Sequence, residues 1–191
     1  MHGIAVIGAS AGGPRVLNQL FWEMPCLKGC MIVVQHMPKF INAPLAEGIG
    51  QNTGMRIKIA ESLETLVDGT VYVAPSERHL VLENNRFIQL RAGEKVNYVC
   101  PSVDVTMQSL EASPPVRTVG VVLTGMGRDG ADGIVHIKRI HGITVAQDEK
   151  TSTIFGMPKE AIATGFVDYI LPPEQIRDRL IRWFGVQSPT P

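Results

Sequence analysis

Ile4-Ala5-Val6-Ile7-Gly8-Ala9-Ser10-Ala11-Gly12-Gly13-Pro14 is the stretch whose reading decides the fold. Ile4 to Ile7 are apolar and partly β-branched, which predicts a short buried strand. The chain then passes through small residues into a helical pattern opened by Pro14, a residue suited to the first helical position. Small residues on both sides of a Ser are what a sharp strand-to-helix turn needs. A side chain in that turn would collide with neighbouring backbone, and the hydroxyl is left projecting above the sheet edge. Gly8-x-Ser10-x-Gly12 therefore fits a nucleophile elbow. It also fits a phosphate-binding glycine turn in a dinucleotide fold, so the choice between them has to come from the rest of the chain.

The 191 residues suit one domain with a proper core, and 45% hydrophobic with 19% charged residues is a globular balance. The formal net charge of +0 gives no bulk attraction to nucleic acid or to an anionic membrane. No apolar run reaches the length of a bilayer span, and the N-terminus enters a strand without a basic-then-apolar leader. A cytoplasmic location is expected. Cys26, Cys30 and Cys100 form no disulfide framework, and no second Cys/His pair follows Cys26-x-x-x-Cys30, so they read as reduced thiols. Residues 1–186 are expected to form one domain, with a frayed tail at 187–191.

Outward from the opening strand, apolar spacing predicts helix from Pro14 to Trp22, strand from Met31 to Val34, helix from Ile41 to Ile49 and strand from Arg56 to Ala60. Val71–Ala74, His79–Leu82 and Arg86–Leu90, separated by turn residues such as Asn84-Asn85, read as extra strands, at least one pair forming an antiparallel hairpin. Ser102 is a good N-cap for a helix to Leu110. Arg117–Leu123 is a strongly apolar strand, followed by helix to Ile140 and strand Thr144–Ala146. Helix Lys159–Thr164, strand Val167–Ile170 and helix Pro173–Phe184 complete the pattern. Such alternation implies an α/β fold: a three-layer, mostly parallel Rossmann-like sheet with helices on both faces and a short antiparallel hairpin.

Ligands of such sheets sit beyond the carboxyl ends of the strands. Ser10 follows the first strand, His36 the second, and Asp129 the Arg117–Leu123 strand. A hydroxyl becomes a good nucleophile only when an imidazole takes its proton, and that imidazole needs a carboxylate on its far nitrogen. Each residue alone has a plain structural use: Ser10 as a helix cap, His36 bonded to backbone, Asp129 as a cap or turn residue. Together they supply one of each required type on one edge. The order Ser…His…Asp differs from the Ser…Asp/Glu…His of the α/β-hydrolases, and only one strand precedes Ser10. A second oxyanion donor must then come from a downstream loop, for which Thr124-Gly125-Met126-Gly127 is the natural source.

Ile7-Gly8-Ala9-Ser10-x-Gly12-Gly13, Val34-Gln35-His36-Met37, Tyr72-Val73-Ala74-Pro75, Pro101-Ser102-Val103-Asp104, Leu123-Thr124-Gly125-Met126-Gly127-x-Asp129-Gly130 and Gly156-Met157-Pro158 together resemble the catalytic domain of the CheB chemotaxis receptor methylesterases. The resemblance covers residues 3 to 184. It implies hydrolysis of glutamate γ-methyl esters on methyl-accepting chemotaxis receptors, with deamidation of receptor glutamines. It further implies Ser10 as nucleophile, His36 as general base and acid, and Asp129 as the orienting carboxylate, with backbone N–H groups of Ala11 and Met126 as oxyanion donors. The partners implied are receptor cytoplasmic domains, without nucleic acid or membrane insertion, and a monomer meets every requirement. Two positions depart from the family pattern: Ala11 stands where Thr is usual, and Cys100 where a basic residue is expected. The resemblance also implies an amino-terminal receiver domain that is expected to be absent here, the chain being either an excised domain or a single-domain relative.

No cofactor and no metal are expected, since Asp129 is embedded in glycines without a ligand partner at suitable spacing. His79, beside a strand start, is expected at the surface with a place lining the cleft as the alternative; His136 and His141 are expected to be solvated, and His2 is terminal. Met37, Met126 and Met157 could line an apolar wall for the methyl ester or simply fill the core. Two rival readings stand beside the esterase. One is a nucleotide- or phosphate-binding module, which would want a carboxylate rather than His36 after the second strand. The other is a catalytically weakened receptor-binding adaptor, suggested by Ala11.

Overall fold

The computed structural model describes residues 3–187; His2 and the tail from Ser188 onward lie outside it. Seven strands form one parallel sheet: β1 (Gly3–Ala9), β2 (Cys30–Gln35), β3 (Arg56–Ile59), β4 (Thr70–Val73), β7 (Arg117–Val122), β8 (Ile143–Gln147) and β9 (Tyr169–Leu171), in the order β3-β4-β2-β1-β7-β8-β9. The two remaining strands, β5 (His79–Glu83) and β6 (Phe87–Arg91), pair antiparallel as a separate hairpin. Asn84 and Asn85 turn it with positive φ at both residues, a conformation that Asn tolerates better than most.

Alternation along the central strands divides the core in two. Ala5, Ile7 and Ala9 of β1, with Met31 and Val33 of β2, face helices α1 (Gly13–Phe21), α2 (Asn42–Gly50) and α6 (Pro173–Phe184). Ile4 and Val6, with Cys30, Ile32 and Val34, face α3 (Val103–Gln108), α4 (Ala131–Arg139), α5 (Met157–Ala163) and the hairpin. Every residue of β1 and of β2 is buried, which explains why their sequences read as continuous apolar runs rather than alternating ones.

The fold class agrees with the sequence expectation, with one rearrangement. The Val71–Ala74 segment is not an accessory strand. As β4 it enters the main sheet between β3 and β2, bonded in parallel to both. Its full burial and its strand-like run cannot be told by pattern from those of a hairpin strand, so only pairing separates them.

Candidate active site

Register brings the site together. Ala9 pairs with Gln35 and Gly8 with both Val34 and Val122, so the chain leaves β1, β2 and β7 at one level of the sheet edge. Beyond that level the ladder is continued by irregular backbone. His36 donates its N–H to the Ala9 carbonyl at 3.0 Å, and Ser10 donates its own to the Thr124 carbonyl at 2.9 Å. Ser10 is therefore flanked by the segment carrying His36 on one side and the loop after β7 on the other.

The turn at Ser10 is fixed from below by Gln35. Its amide Nε2 donates to the carbonyls of Ser10 and His36, both at 2.8 Å. Ser10 also accepts from the Gly13 N–H, and Gly12 adopts φ 79°. A Cβ on Gly13 would stand 1.9 Å from Gln35 Oε1, so the helix can begin here only because position 13 has no side chain.

His36 Nε2 lies 2.8 Å from Asp129 Oδ2, and both side chains are nearly buried. Asp129 is 2% exposed and collects four further donors. The N–H of Val103 reaches Oδ2 at 2.7 Å, while Ser102 Oγ, the Asp104 N–H and Asn97 Nδ2 reach Oδ1 at 2.7, 3.1 and 3.4 Å. Burial by itself would raise this carboxyl, but the hydrogen bonds from His36, Ser102 and Val103 hold it below the usual carboxylate range. It is ionised at neutral pH and fixes the Nε2–H tautomer of His36. That leaves Nδ1 with a free lone pair: among the described residues it has no hydrogen-bond partner, although it is buried. Ser10 Oγ also makes no hydrogen bond among the described residues. The geometry thus joins His36 to Asp129 directly and sets Ser10 beside His36 through backbone, with the hydroxyl–imidazole contact itself unmade.

Asp129 sits in the turn closed by the Ala131 N–H on the Arg128 carbonyl, but it does not cap the helix that follows. Its own helix, α4, is capped by Gly130. The carboxylate instead receives the first N–H groups of α3, an element that packs against β1. Ser102 has two duties, as N-cap of α3 accepting from the Val105 N–H at 3.3 Å and as donor to Asp129.

The loop after β7 is braced from outside. Gly125 donates to the Ile154 carbonyl, and its own carbonyl accepts from the N–H groups of Gly156 and Met157. Thr124 Oγ1 reaches the carbonyls of Ala11 and Ile154 and accepts from the Ile154 N–H. Between these anchors, the backbone N–H groups of Ala11 and Met126 donate to no acceptor among the described residues. Met126 presents its side chain to solvent at 78% exposure.

Several sequence expectations change. His79 is not a surface residue: it is buried, accepts the Ser102 N–H on Nδ1 at 3.2 Å, and bonds the Glu94 carbonyl through Nε2 at 2.9 Å. His136 is half-buried, tied to the Leu110 carbonyl, because α3 runs alongside α4. Met157 is fully buried beneath Gly125 and cannot line a substrate wall. Asn97 on Asp129, and Gln35 under Ser10, were given no role by sequence. Gln35 could have been suspected as a buried amide ending an apolar strand, whereas nothing in Lys95-Val96-Asn97-Tyr98-Val99 signals its use.

Residues 5–180 match the family model described as CheB methylesterase. The chain belongs to the CheB methylesterase family. Among its relatives, the protein-glutamate methylesterase/protein-glutamine glutaminase of Pyrococcus abyssi is 44% identical over 92% of this chain and 49% of the relative. The Thermotoga maritima protein of the same name is 38% identical over 93% of this chain and 53% of its own length. The crystal structure of the Thermotoga maritima CheB methylesterase catalytic domain superposes with a TM-score of 0.87 at 36% identity, covering 95% of this chain and 98% of that one. The chain spans about half the length of the relatives it matches. No helix among the described residues is long and apolar enough to cross a membrane.

Proposed function

We propose that residues 1–186 form a CheB-type catalytic domain that hydrolyses glutamate γ-methyl esters on the cytoplasmic domains of chemoreceptors, releasing methanol. The observation that carries this reading is the buried imidazole of His36, held by an ionised Asp129 and left with a free Nδ1 on the strand end adjoining Ser10. Ser10 Oγ attacks the ester carbonyl carbon while His36 Nδ1 takes its proton, the hydroxyl first rotating toward the ring. Negative charge collects on the former carbonyl oxygen, where the N–H groups of Ala11 and Met126 receive it, and the positive end of α1 lies behind them. The bond to the methoxy oxygen breaks and His36 returns the proton, giving methanol and a glutamyl ester of Ser10. Water, deprotonated by His36, then attacks that ester carbon; the bond to Ser10 Oγ breaks, and His36 returns the proton to Ser10 Oγ, leaving a free glutamate.

The same course with ammonia as leaving group deamidates receptor glutamines, in keeping with the double name carried by the relatives. Substrate and location go together: receptor cytoplasmic domains place the enzyme in the cytoplasm, acting as a monomer. The nucleotide-binding reading has no observation in its favour. The end of β2, where a ribose would call for a carboxylate, carries His36 already engaged with Asp129. The adaptor reading and the esterase part company in one experiment, methanol release from methylated receptor fragments. Turnover by the unaltered chain and none by a folded Ser10→Ala variant is the expected result. Turnover by Ser10→Ala rejects Ser10 as nucleophile, and a silent unaltered chain that also resists a fluorophosphonate probe leaves the adaptor.

A further inference from the structure

Behind the Asp129 carboxylate, on the side away from His36, stands a second buried carboxylate. Asp104 is 2% exposed, and its Oδ1 accepts the N–H groups of Gly130 and Gly133 at 2.9 and 2.7 Å. These two bonds tie the start of α4 to the first turn of α3. Asp104 Oδ2 accepts from Asn97 Nδ2 at 2.7 Å, and the same Nδ2 lies 3.4 Å from Asp129 Oδ1. One amide therefore faces both anions.

Asn97 is held there by its backbone. Val96 and Val99 exchange reciprocal hydrogen bonds at 3.1 Å, closing a two-residue turn whose central residues, Asn97 and Tyr98, have φ of 51° and 67°. Asn accepts this left-handed conformation; Tyr does so at a cost, while its ring stands free in solvent. The turn directs one polar side chain inward and spends no interaction on its neighbour. A loop that served only as a connection would not need a half-buried donor aimed between two carboxylates.

We infer that Asn97 and Asp104 are positioning residues for hydrolysis: Asn97 bridges the two carboxylates, and the pair locks the Asp129 carboxylate in the plane that His36 Nε2–H requires. Asp104 reaches Asp129 by two routes, its own backbone N–H on Oδ1 and the Asn97 bridge from its side chain. Without the bridge, two buried carboxylates face one another with one donor fewer, and Asp129, still bonded to Ser102 and to the Val103 and Asp104 N–H groups, tilts away from the plane the imidazole requires. The loss then falls on proton transfer through His36 rather than on binding. This rests on the esterase reading above, and the control below separates the two.

The test is Asn97→Ala and Asn97→Asp in the whole 191-residue chain, with methanol release measured on methylated receptor fragments and folding followed by urea denaturation. Loss of a hydrogen bond to a charged group predicts a kcat about tenfold lower in Asn97→Ala at unchanged KM. Asn97→Asp, equal in shape but adding a third carboxylate, should lose more. In ¹⁵N-labelled protein the low-field proton of His36 Nε2–H should move in both variants, a change that an anchor of the loop alone would not produce. Unchanged kcat, a rise in KM alone, or a lower kcat with the His36 proton unmoved overturns the inference. If neither variant folds, Asp104→Asn is read by the same measurements with the same two outcomes. Ser10→Ala, run alongside, must be silent; activity there overturns the esterase reading instead.

Discussion

The Asp129 carboxylate is shared between His36 and the start of α3: Oδ2 accepts both the imidazole Nε2–H at 2.8 Å and the Val103 N–H at 2.7 Å. In Asp129→Asn, whichever way the amide is turned, its NH2 confronts a backbone N–H, that of Val103 or that of Asp104. A buried donor left without an acceptor costs about 1–3 kcal/mol, and His36 loses the anion that stabilises its protonated form. Methanol release is expected to fall by roughly 10³- to 10⁴-fold. Steady-state assays with parallel urea denaturation check both effects; activity within tenfold of the unaltered chain would contradict the role assigned to Asp129.

Acidity acts in opposite directions on the two buried carboxylates. Asp129 sits below its ordinary 3.8, so its contribution to stability is present above that pH and is lost as pH falls through the lower folded value. Asp104 is pushed up to about 6, chiefly by burial and, among charges, by Asp129 and Asp132, against hydrogen bonds from Gly133 and Gly130. Folding favours its protonated form, so it weakens the fold as pH rises from 3.8 through 6. The unaltered chain should therefore gain stability relative to Asp104→Asn when pH is lowered from 7 to 5. Urea midpoints at the two pH values test this, and a difference that does not change with pH contradicts it.

Gly125 is crowded on two sides. An added Cβ would lie 2.3 Å from Met157 Sδ and 2.7 Å from Ser10 Cβ. The methionine can bend away, but Ser10 is tied by its N–H to Thr124 and by its carbonyl to Gly13 and Gln35. Gly125→Ala should cost about 1–3 kcal/mol in stability while lowering kcat by tenfold or more, because the clash is relieved only by forcing Ser10, the proposed nucleophile, out of its bonded position. Denaturation and kinetics on the same preparation decide it. Equal activity at reduced stability would show that the turn accommodates the methyl group elsewhere.

Met126 is proposed to act through its backbone N–H, not its side chain. With the thioether in solvent, Met126→Ala should leave kcat within about threefold. Met126→Pro deletes the N–H, and loss of this proposed oxyanion donor should lower kcat by about 100- to 1000-fold. A circular dichroism spectrum confirms the fold in each case. Equal loss in both variants would assign the effect to the side chain.

The strands and their order along the chain were readable because their causes are local. Burial on both faces makes β1, β2 and β7 continuous apolar runs, and Pro14 and Pro173 mark helix starts. Helix Pro173–Phe184 agrees to the residue. Ser10, His36 and Asp129 could be singled out because each follows a recognisable strand, and the sheet topology lays those strands side by side. His79 was misplaced because a histidine at a strand start carries no mark of the loop that later covers it. Its partners, Glu94 and Ser102, are 15 and 23 residues away.

By itself, then, the sequence determined the α/β alternation, the tight turn at Ser10 and the three side chains of matching chemistry at strand ends, since propensity, burial pattern and turn sterics act within a few residues. Tertiary structure alone decided that β4 enters the main sheet, that Asp129 is gripped by the start of α3, and that Asn97 and Asp104 stand behind it. The bonds on Asp129 join residues 25 to 93 positions apart. Whether such groups meet depends on how whole layers pack, and a hydrogen bond across that separation leaves no trace in the local pattern of either partner.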